Sequence, residues 1–243
     1  MTHRFILPVG ALAAFASFAL ITGCSSDATS PNEAANVRVV NASPSTGPIT
    51  ASSENKTVQA GVSFQTPTAA GGCGTIERGG DEQIDFVLAG TQTGLASIKS
   101  NFVAQQNYTA VFFGPNNVGV FQESFTAPSA NNNAIRFINA TGTAGDIYLT
   151  IPNAILPGTQ PTISNLAAGA ASGTNGNAPG GTFAQYPNSN VQVRMFNVGQ
   201  NTGTPRVDFI IGGLSKSVGT VILTAPPAGQ SSPTAFVVGP CHS

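Results

Sequence analysis

Side chains able to carry chemistry are few in this sequence, and most stand far apart. Two histidines occur among 243 residues, His3 and His242, one near each end. A Ser-His-Asp triad or a histidine metal site needs an imidazole as base or ligand, so either would rest on His242. The densest carboxylate stretch is Glu77, Asp81, Glu82 and Asp85, interrupted by Arg78 and by Gly79-Gly80. Calcium takes roughly six to eight oxygens. This spacing is not that of an EF-hand loop, and Asp85 falls in an alternating apolar run, so a solvated turn is expected. Nothing marks the cleft that paired glycosidase carboxylates require. No Gly-rich phosphate loop, Cys-x-x-Cys or His-Glu-x-x-His occurs. The expectation is a chain that is no enzyme, with no catalytic residues, no cofactor and no metal.

The remaining chemistry lies in Cys24, Cys73 and Cys241. Cys24 ends the run Leu20-Ile21-Thr22-Gly23-Cys24, after a positive start at His3 and Arg4 and an apolar stretch from Phe5 to Ile21. The stretch is interrupted, shorter than the ~20 apolar residues of a membrane span, and shaped like a secretory signal. Its ending resembles the lipobox of bacterial lipoproteins. The chemistry there needs a thiol for a thioether and a small residue, here Gly23, to admit the peptidase. The resemblance implies a signal helix over 1–23 and a Cys24 carrying two or three acyl chains as the mature first residue. With Ser25 rather than Asp after it, the resemblance favours the bacterial outer membrane. A plain secretory signal cut nearby is the alternative. One acyl chain anchors only marginally, at ~0.8 kcal/mol per buried methylene. Residues 24–35 read as a flexible tether, reaching roughly 18 Å as a coil.

Once Cys24 takes lipid, Cys73 and Cys241 remain in an oxidising compartment. A disulfide between them is the favoured reading, and two free, partly buried thiols are the alternative. The bridge would tie the C-terminus to a loop of the first half of the chain.

Composition narrows the partners. Charged residues make up 8%, against roughly 25% in an average domain. Nine Lys and Arg and ten Asp and Glu leave a net charge of -1. That excludes nucleic acid, which needs a basic face to displace counterions, and also a charged disordered tail or a coiled coil. Hydrophobic residues at 41% supply a core, and 28 Gly with 17 Pro supply turns.

The elements that must position these residues are short and repeated. Asn36–Ser43 matches Ala134–Thr141, Ile84–Gly90 matches Val207–Gly213, and Thr109–Pro115 matches Thr234–Pro240. Three blocks in one order imply two copies of a module, over 36–128 and 134–243. The spacing implies an insertion of about 25 residues between Leu149 and Arg206, with 167–190 as its candidate and a mobile loop as its expected form. Each block reads as a strand, rich in Val, Ile and Phe and ended by Gly, Pro or Asn. Further strands are expected at 57–64, 96–103, 118–126, 146–151, 191–196 and 220–224. Short strands at this density point to an all-β fold of two tandem antiparallel β-sandwiches, with small barrels as the rival.

Val37–Pro44 and Ile135–Thr141 resemble the opening strand of bacterial domain of unknown function 4397. Gly145–Leu149 is similar to that family's second strand, Pro161–Leu166 to its middle segment and Asn107–Val111 to its late Tyr-Thr strand. Pro48 departs from the acidic residue expected there, and Tyr108 has no aromatic counterpart beside Thr234. The resemblance implies immunoglobulin-like modules on secreted or anchored bacterial proteins, with no catalytic residues to carry over.

Two ions recur with the repeat: Arg38 as Arg136, and Asp85 as Asp208. The expectation is an ion pair in each module, Arg38 with Asp85 and Arg136 with Asp208, the alternative being four solvent-facing charges. The functional expectation is a non-enzymatic, lipid-anchored envelope protein displaying its modules for structural or protein-interaction roles. Its partners would be the membrane, through Cys24, and an envelope protein or glycan. The alternative is a module binding a glycan or envelope polymer through loops 65–82 and 167–190, with Tyr186 as a sugar contact.

Overall fold

The computed structural model describes residues 33–66, 72–77, 79–156, 158–173, 181–187, 189–212, 217–231 and 233–241. The signal segment, Cys24, most of the tether, Arg78 and His242 lie outside them.

In the first half of the chain eight strands form: β1 (Ala35–Asn41), β2 (Ile49–Ser53), β3 (Lys56–Val62), β4 (Gly74–Ile76), β5 (Gly80–Leu88), β6 (Gly94–Phe102), β7 (Asn107–Gly114) and β8 (Asn117–Gln122). They make two four-stranded sheets, ordered β4-β1-β7-β8 and β3-β2-β5-β6. Eight more follow: β9 (Asn132–Ala140), β10 (Gly145–Thr150), β11 (Ile163–Leu166), β12 (Ala184–Pro187), β13 (Val191–Phe196), β14 (Val207–Ile211), β15 (Val218–Thr224) and β16 (Thr234–Val238). Their sheets are ordered β12-β9-β15-β16 and β11-β10-β13-β14. The described residues are all-β, as expected, in open sheets rather than barrels. They are not purely antiparallel. β1 pairs β7 in parallel, with Arg38 opposite Thr109, and β9 pairs β15 in parallel, with Arg136 opposite Thr220. Parallel neighbours need a long crossover, and here the intervening strands of the second sheet provide it.

The sheets stack in four layers. Val37, Ile49, Ile84, Phe86, Phe102 and Phe112 fill the first module between its sheets. Phe137, Ile147, Val193, Met195 and Val221 fill the second. A third apolar layer, with Val40, Val111, Phe121, Ile138 and Ile222, lies between the modules, where β1-β7-β8 meets β9-β15-β16. The central strands are therefore covered on both faces, and this explains runs such as Val37-Arg38-Val39-Val40 and Val221-Ile222-Leu223. A strand buried on one face alternates; one buried on both reads as nearly continuous apolar sequence.

Strand for strand, β1–β8 and β9–β16 follow the same order. That corrects two of the three repeat blocks. Ile84–Gly90 lies on β5, whose counterpart is β13 and not β14; Thr109–Pro115 lies on β7, whose counterpart is β15 and not β16. Neighbouring strands of similar apolar composition let the match slide by one strand. The single insertion dissolves with it. The β7–β8 turn closes between Gly114 and Asn117, whereas β15 and β16 are joined beyond Thr224 and Thr234, so part of the extra length sits there. The segment 167–190 is not simply a loop: β12 pairs with β9, and Ala171 bridges Ile138. β2, β4, β11 and β12 are three to five residues long, too short for alternation to announce them.

The recurring Asn-Ala-Ser/Thr is a turn device. The Asn41 Nδ2 donates to the Gly47 and Val62 carbonyls, and its Oδ1 accepts from the Ser43 N–H. Asn139 repeats this with Thr143, Leu166 and Thr141. An Asn that bonds the backbone two residues on closes such turns without help from the ladder.

Candidate functional site

On β1, Val37 and Val39 face the module core, so Arg38 faces the other way, into the layer between modules. Period two does the same on β9, where Ile135 and Phe137 point inward and Arg136 outward. On β5 and β14, Asp85 and Asp208 also alternate with core residues, but on the opposite sheets, whose outer faces look away from the interface. The expected pairs Arg38–Asp85 and Arg136–Asp208 are therefore not formed. Each Arg and Asp are separated by the full thickness of a sandwich, about 10 Å between sheets alone. Asp85 accepts from Gln83 and Asp208 from Gln192.

Both arginines are buried, Arg136 to 0% exposure and Arg38 to 2%. The Arg136 Nη1 donates to the Gln122 carbonyl at 2.8 Å, its Nε and Nη2 to Thr220 Oγ1 at 3.2 and 3.0 Å, and Nη2 also to Thr109 Oγ1 at 3.2 Å. Its guanidinium stands 4.6 Å from the Phe183 ring centre and 6.0 Å from that of Phe121. Thr109 donates in turn to Glu123 Oε1 at 2.6 Å. The other Glu123 oxygen accepts the Cys241 N–H at 2.9 Å. Arg38 Nη2 donates to the Pro240 carbonyl at 3.1 Å, and Asn107 Nδ2 to the Cys241 carbonyl at 2.9 Å. Burial lowers the Arg136 guanidinium to about 10, against the opposing attraction of Glu123, and lowers Arg38 for the same reasons.

Cys73 and Cys241 are joined by a disulfide across 168 residues, with Cα atoms 5.9 Å apart. The segment Pro240–Cys241, which follows β16, is thus held against the first module by Arg38, Asn107, Glu123 and Cys73. Glu123, Thr109 and Thr220 went unnoticed in the sequence. Thr109 and Thr220 carry a signal, a hydroxyl inside an otherwise apolar strand, whereas Glu123 stands between Gln122 and Ser124 and carries none. These groups are satisfied by one another in a closed layer, so what they can do is hold two modules together.

Open chemistry lies elsewhere, on the outer face of β10, β13 and β14. A cleft of about 300 Å³ opens there, lined by Leu156, Phe196, Arg194, Asn201, Thr202 and Asp208. The Arg194 Nη2 donates to Thr150 Oγ1 at 2.9 Å and to the Ala154 carbonyl at 2.8 Å. Gln192 donates to Asp208 Oδ1 at 2.8 Å and accepts from the Asn153 N–H at 2.8 Å. Beneath, Tyr148, Leu156 and Phe196 form a small buried cluster.

The acidic stretch is not a turn in its described part: Asp81, Glu82 and Asp85 stand on β5, and Glu77, just after β4, pairs with the exposed Lys56. Among the described residues no three His, Cys, Asp or Glu side chains come together as a metal site. Tyr186 packs half-buried against the second core and lines a separate cavity of about 160 Å³.

Residues 35–150 carry a DUF4397 domain, a domain of unknown function. The DUF4397 span runs from β1 through β10 and so contains Arg38, Glu123 and Arg136, while Arg194 and Asp208 lie beyond it. Among solved structures the chain is similar to CBMbc (family CBM26) from Eubacterium rectale Amy13K, determined in complex with maltoheptaose. The identity is 12% over 84% of this chain and 95% of that one, with a TM-score of 0.24. A comparison with curated proteins finds no match.

Proposed function

We propose that this chain is a non-enzymatic lipoprotein of the bacterial outer membrane, anchored through Cys24, that presents two immunoglobulin-like modules as one unit for a structural or protein-interaction role. The observation that carries this reading is the closed layer between the modules. Arg136 of one half is bonded to Gln122 and Thr109 of the other, and Cys241, which follows the last strand, is tied to Cys73. The modules are residues 36–128 and 134–243, and the second is a further copy of the DUF4397 unit, a reading supported by the shared strand order. The immunoglobulin-like assignment draws support from Tyr108, at the start of β7. Its hydroxyl accepts the Val103 N–H at 2.7 Å, similar to the tyrosine corner of immunoglobulin sandwiches.

The anchor is tested in cells expressing the full chain. Globomycin should cause an unprocessed precursor to accumulate, and the mature protein should carry acyl mass on a peptide starting at Cys24. Normal processing under the drug would overturn the anchor. Limited proteolysis of the mature protein tests the unit: the two modules should stay together under non-reducing conditions, and free separation would contradict the reading.

A further inference from the structure

We propose that the molecule rests on the bilayer with the end at which the chain enters, and that Ile151, Ile155 and Ile210 of the second module dip into the lipid interface there. This rests on the lipid anchor at Cys24. The two modules point the same way. Arg136, near the start of β9, reaches the Gln122 carbonyl, which is level with Val37 near the start of β1. At the other end Gln65, whose N–H donates to the Asn41 carbonyl, bonds Thr224, the residue opposite Ala140. β1 and β9 therefore begin at one end of the unit and finish at the other. β10, β12 and β14 finish at the starting end: Thr150 lies opposite Gln192, Pro187 opposite Asn132 and Ile211 opposite Val191.

Five large hydrophobic side chains are exposed among the described residues, and four stand at or beside this end. Val103 precedes the turn where the Gln105 N–H donates to the Ala34 carbonyl. Ile151, 72% exposed, directly follows β10. Ile210 lies in the cross-strand row Thr150–Gln192–Ile210, on the outer face of its sheet. Ile155, 85% exposed, belongs to the segment that folds back over that row, where the Asn153 N–H meets Gln192. The fifth, Val198, is at the opposite end, beside Gly199, whose N–H donates to Asp146 at the start of β10. Single exposed hydrophobics need no account; a group gathered at one end does.

The setting suits lipid. Residues 147–193 contain no Asp, Glu, Lys or Arg, so no charge there must be dehydrated as the isoleucines enter. Tyr186 lines the small cavity beside Ile151, and tyrosine rings collect at the headgroup level. Arg194 and Asp208 stand two residues further from the end than Gln192 and Ile210, ~7 Å along the strands, among the headgroups. The same end of the first module, where Ile76 lies opposite Ala35, carries Glu54 and Asp81, both exposed. That end keeps its water, and the unit leans onto its second module. The length of chain decides the occupant. Glu33 follows Cys24 by nine residues, which reach about 17 Å as a coil. β9 alone, at nine residues, is ~30 Å long, so the opposite end lies beyond that reach.

The test is fluorescence quenching of the full-length lipidated chain in phosphatidylcholine vesicles containing nitroxide-labelled lipid. With Cys24 acylated and Cys73 joined to Cys241, a cysteine introduced by Ile151→Cys, Ile210→Cys or Val198→Cys is the free thiol that takes the dye. The nitroxide should quench the dye at 151 and at 210 about twofold or more over that at 198, as side chains sunk roughly 5–10 Å into the interface require. Ile155→Glu should reduce the quenching at 151, because its charge would have to leave water. Equal quenching at all three positions would overturn the proposal. A blue-shifted dye at 151 that the nitroxide does not quench would assign the patch to a second copy of the chain and overturn it too. A chain that floats with the vesicles and carries acyl mass on Cys24, yet is unquenched at 151, would overturn the docking and leave the anchor standing. Absence of acyl mass on Cys24 would overturn both.

Discussion

Arg136, on a strand of the second module, donates a hydrogen bond to the main-chain carbonyl of Gln122 in the first, at 2.8 Å and with no exposure to solvent. A charge withdrawn from water is costly unless its donors are met. Here Thr220, Thr109 and two aromatic rings complete the set, and Glu123 supplies the opposing charge.

Arg136→Met should destabilise the folded chain by about 3–5 kcal/mol, the usual result of removing one partner from a buried charge network. Arg136→Lys should recover only part of this, because one ammonium cannot replace the planar fork that reaches Gln122, Thr109 and Thr220 together. Urea denaturation measures both. A cost below ~1 kcal/mol would place Arg136 among ordinary surface ions.

Reducing the Cys73–Cys241 bond should lower stability by about 5 kcal/mol on the chain-entropy account of a loop this long, since 168 residues separate the cysteines. Thermal melts with and without reductant read the effect. Cys73→Ser with Cys241→Ser should reproduce the reduced protein, and further addition of reductant to that variant should do nothing.

Alkaline pH acts through two tyrosines. Burial and the neighbouring Asp146 raise the Tyr148 hydroxyl above its ordinary 10.0, and burial raises Tyr186. The folded chain keeps these protons longer than the unfolded one, so their contribution is complete below about pH 10 and is lost as pH rises further. Arg136 works in the opposite sense: its folded value of about 10 lies below the ordinary 12.5, so the cost of burying its charge is relieved as pH climbs. Comparing the chain with its Tyr148→Phe, Tyr186→Phe variant cancels the Arg136 effect. The urea midpoint of the variant should fall less between pH 10 and 11, taken as roughly the window around the tyrosine value.

Close backbone approach makes two glycines irreplaceable. A Cβ at Gly145 would meet Met195 Cε at 2.4 Å and the Phe196 carbonyl at 2.6 Å; one at Gly74 would meet the Val58 carbonyl at 1.8 Å. Gly145→Ala and Gly74→Ala should each cost about 1–3 kcal/mol as overpacking. Gly94→Ala, with nothing within 4 Å of its added methyl, should stay within ~0.5 kcal/mol of the parent. Equal losses at all three positions would contradict this assignment.

The all-β class, most strand positions and the two-fold organisation were legible in the chain, because β-branched runs and turn residues act locally. The opening strand illustrates it: Val37-Arg38-Val39-Val40-Asn41 and Ile135-Arg136-Phe137-Ile138-Asn139 carry both the strand and the Asn that closes its turn. The partners of the recurring ions were not legible. A strand alternates its side chains between two faces, and sequence tells which residues share a face but not what that face meets. Arg38 and Asp85 each alternate correctly with core residues, yet β1 turns its outer face to the other module and β5 turns its own to solvent. The parallel pairing of β1 with β7 likewise depends on strands meeting across 71 residues, a contact no local pattern records. Local propensity decided the elements. Packing of sheet on sheet decided that the arginines became a clamp, and that the open cleft formed on the far face, beside Arg194 and Asp208.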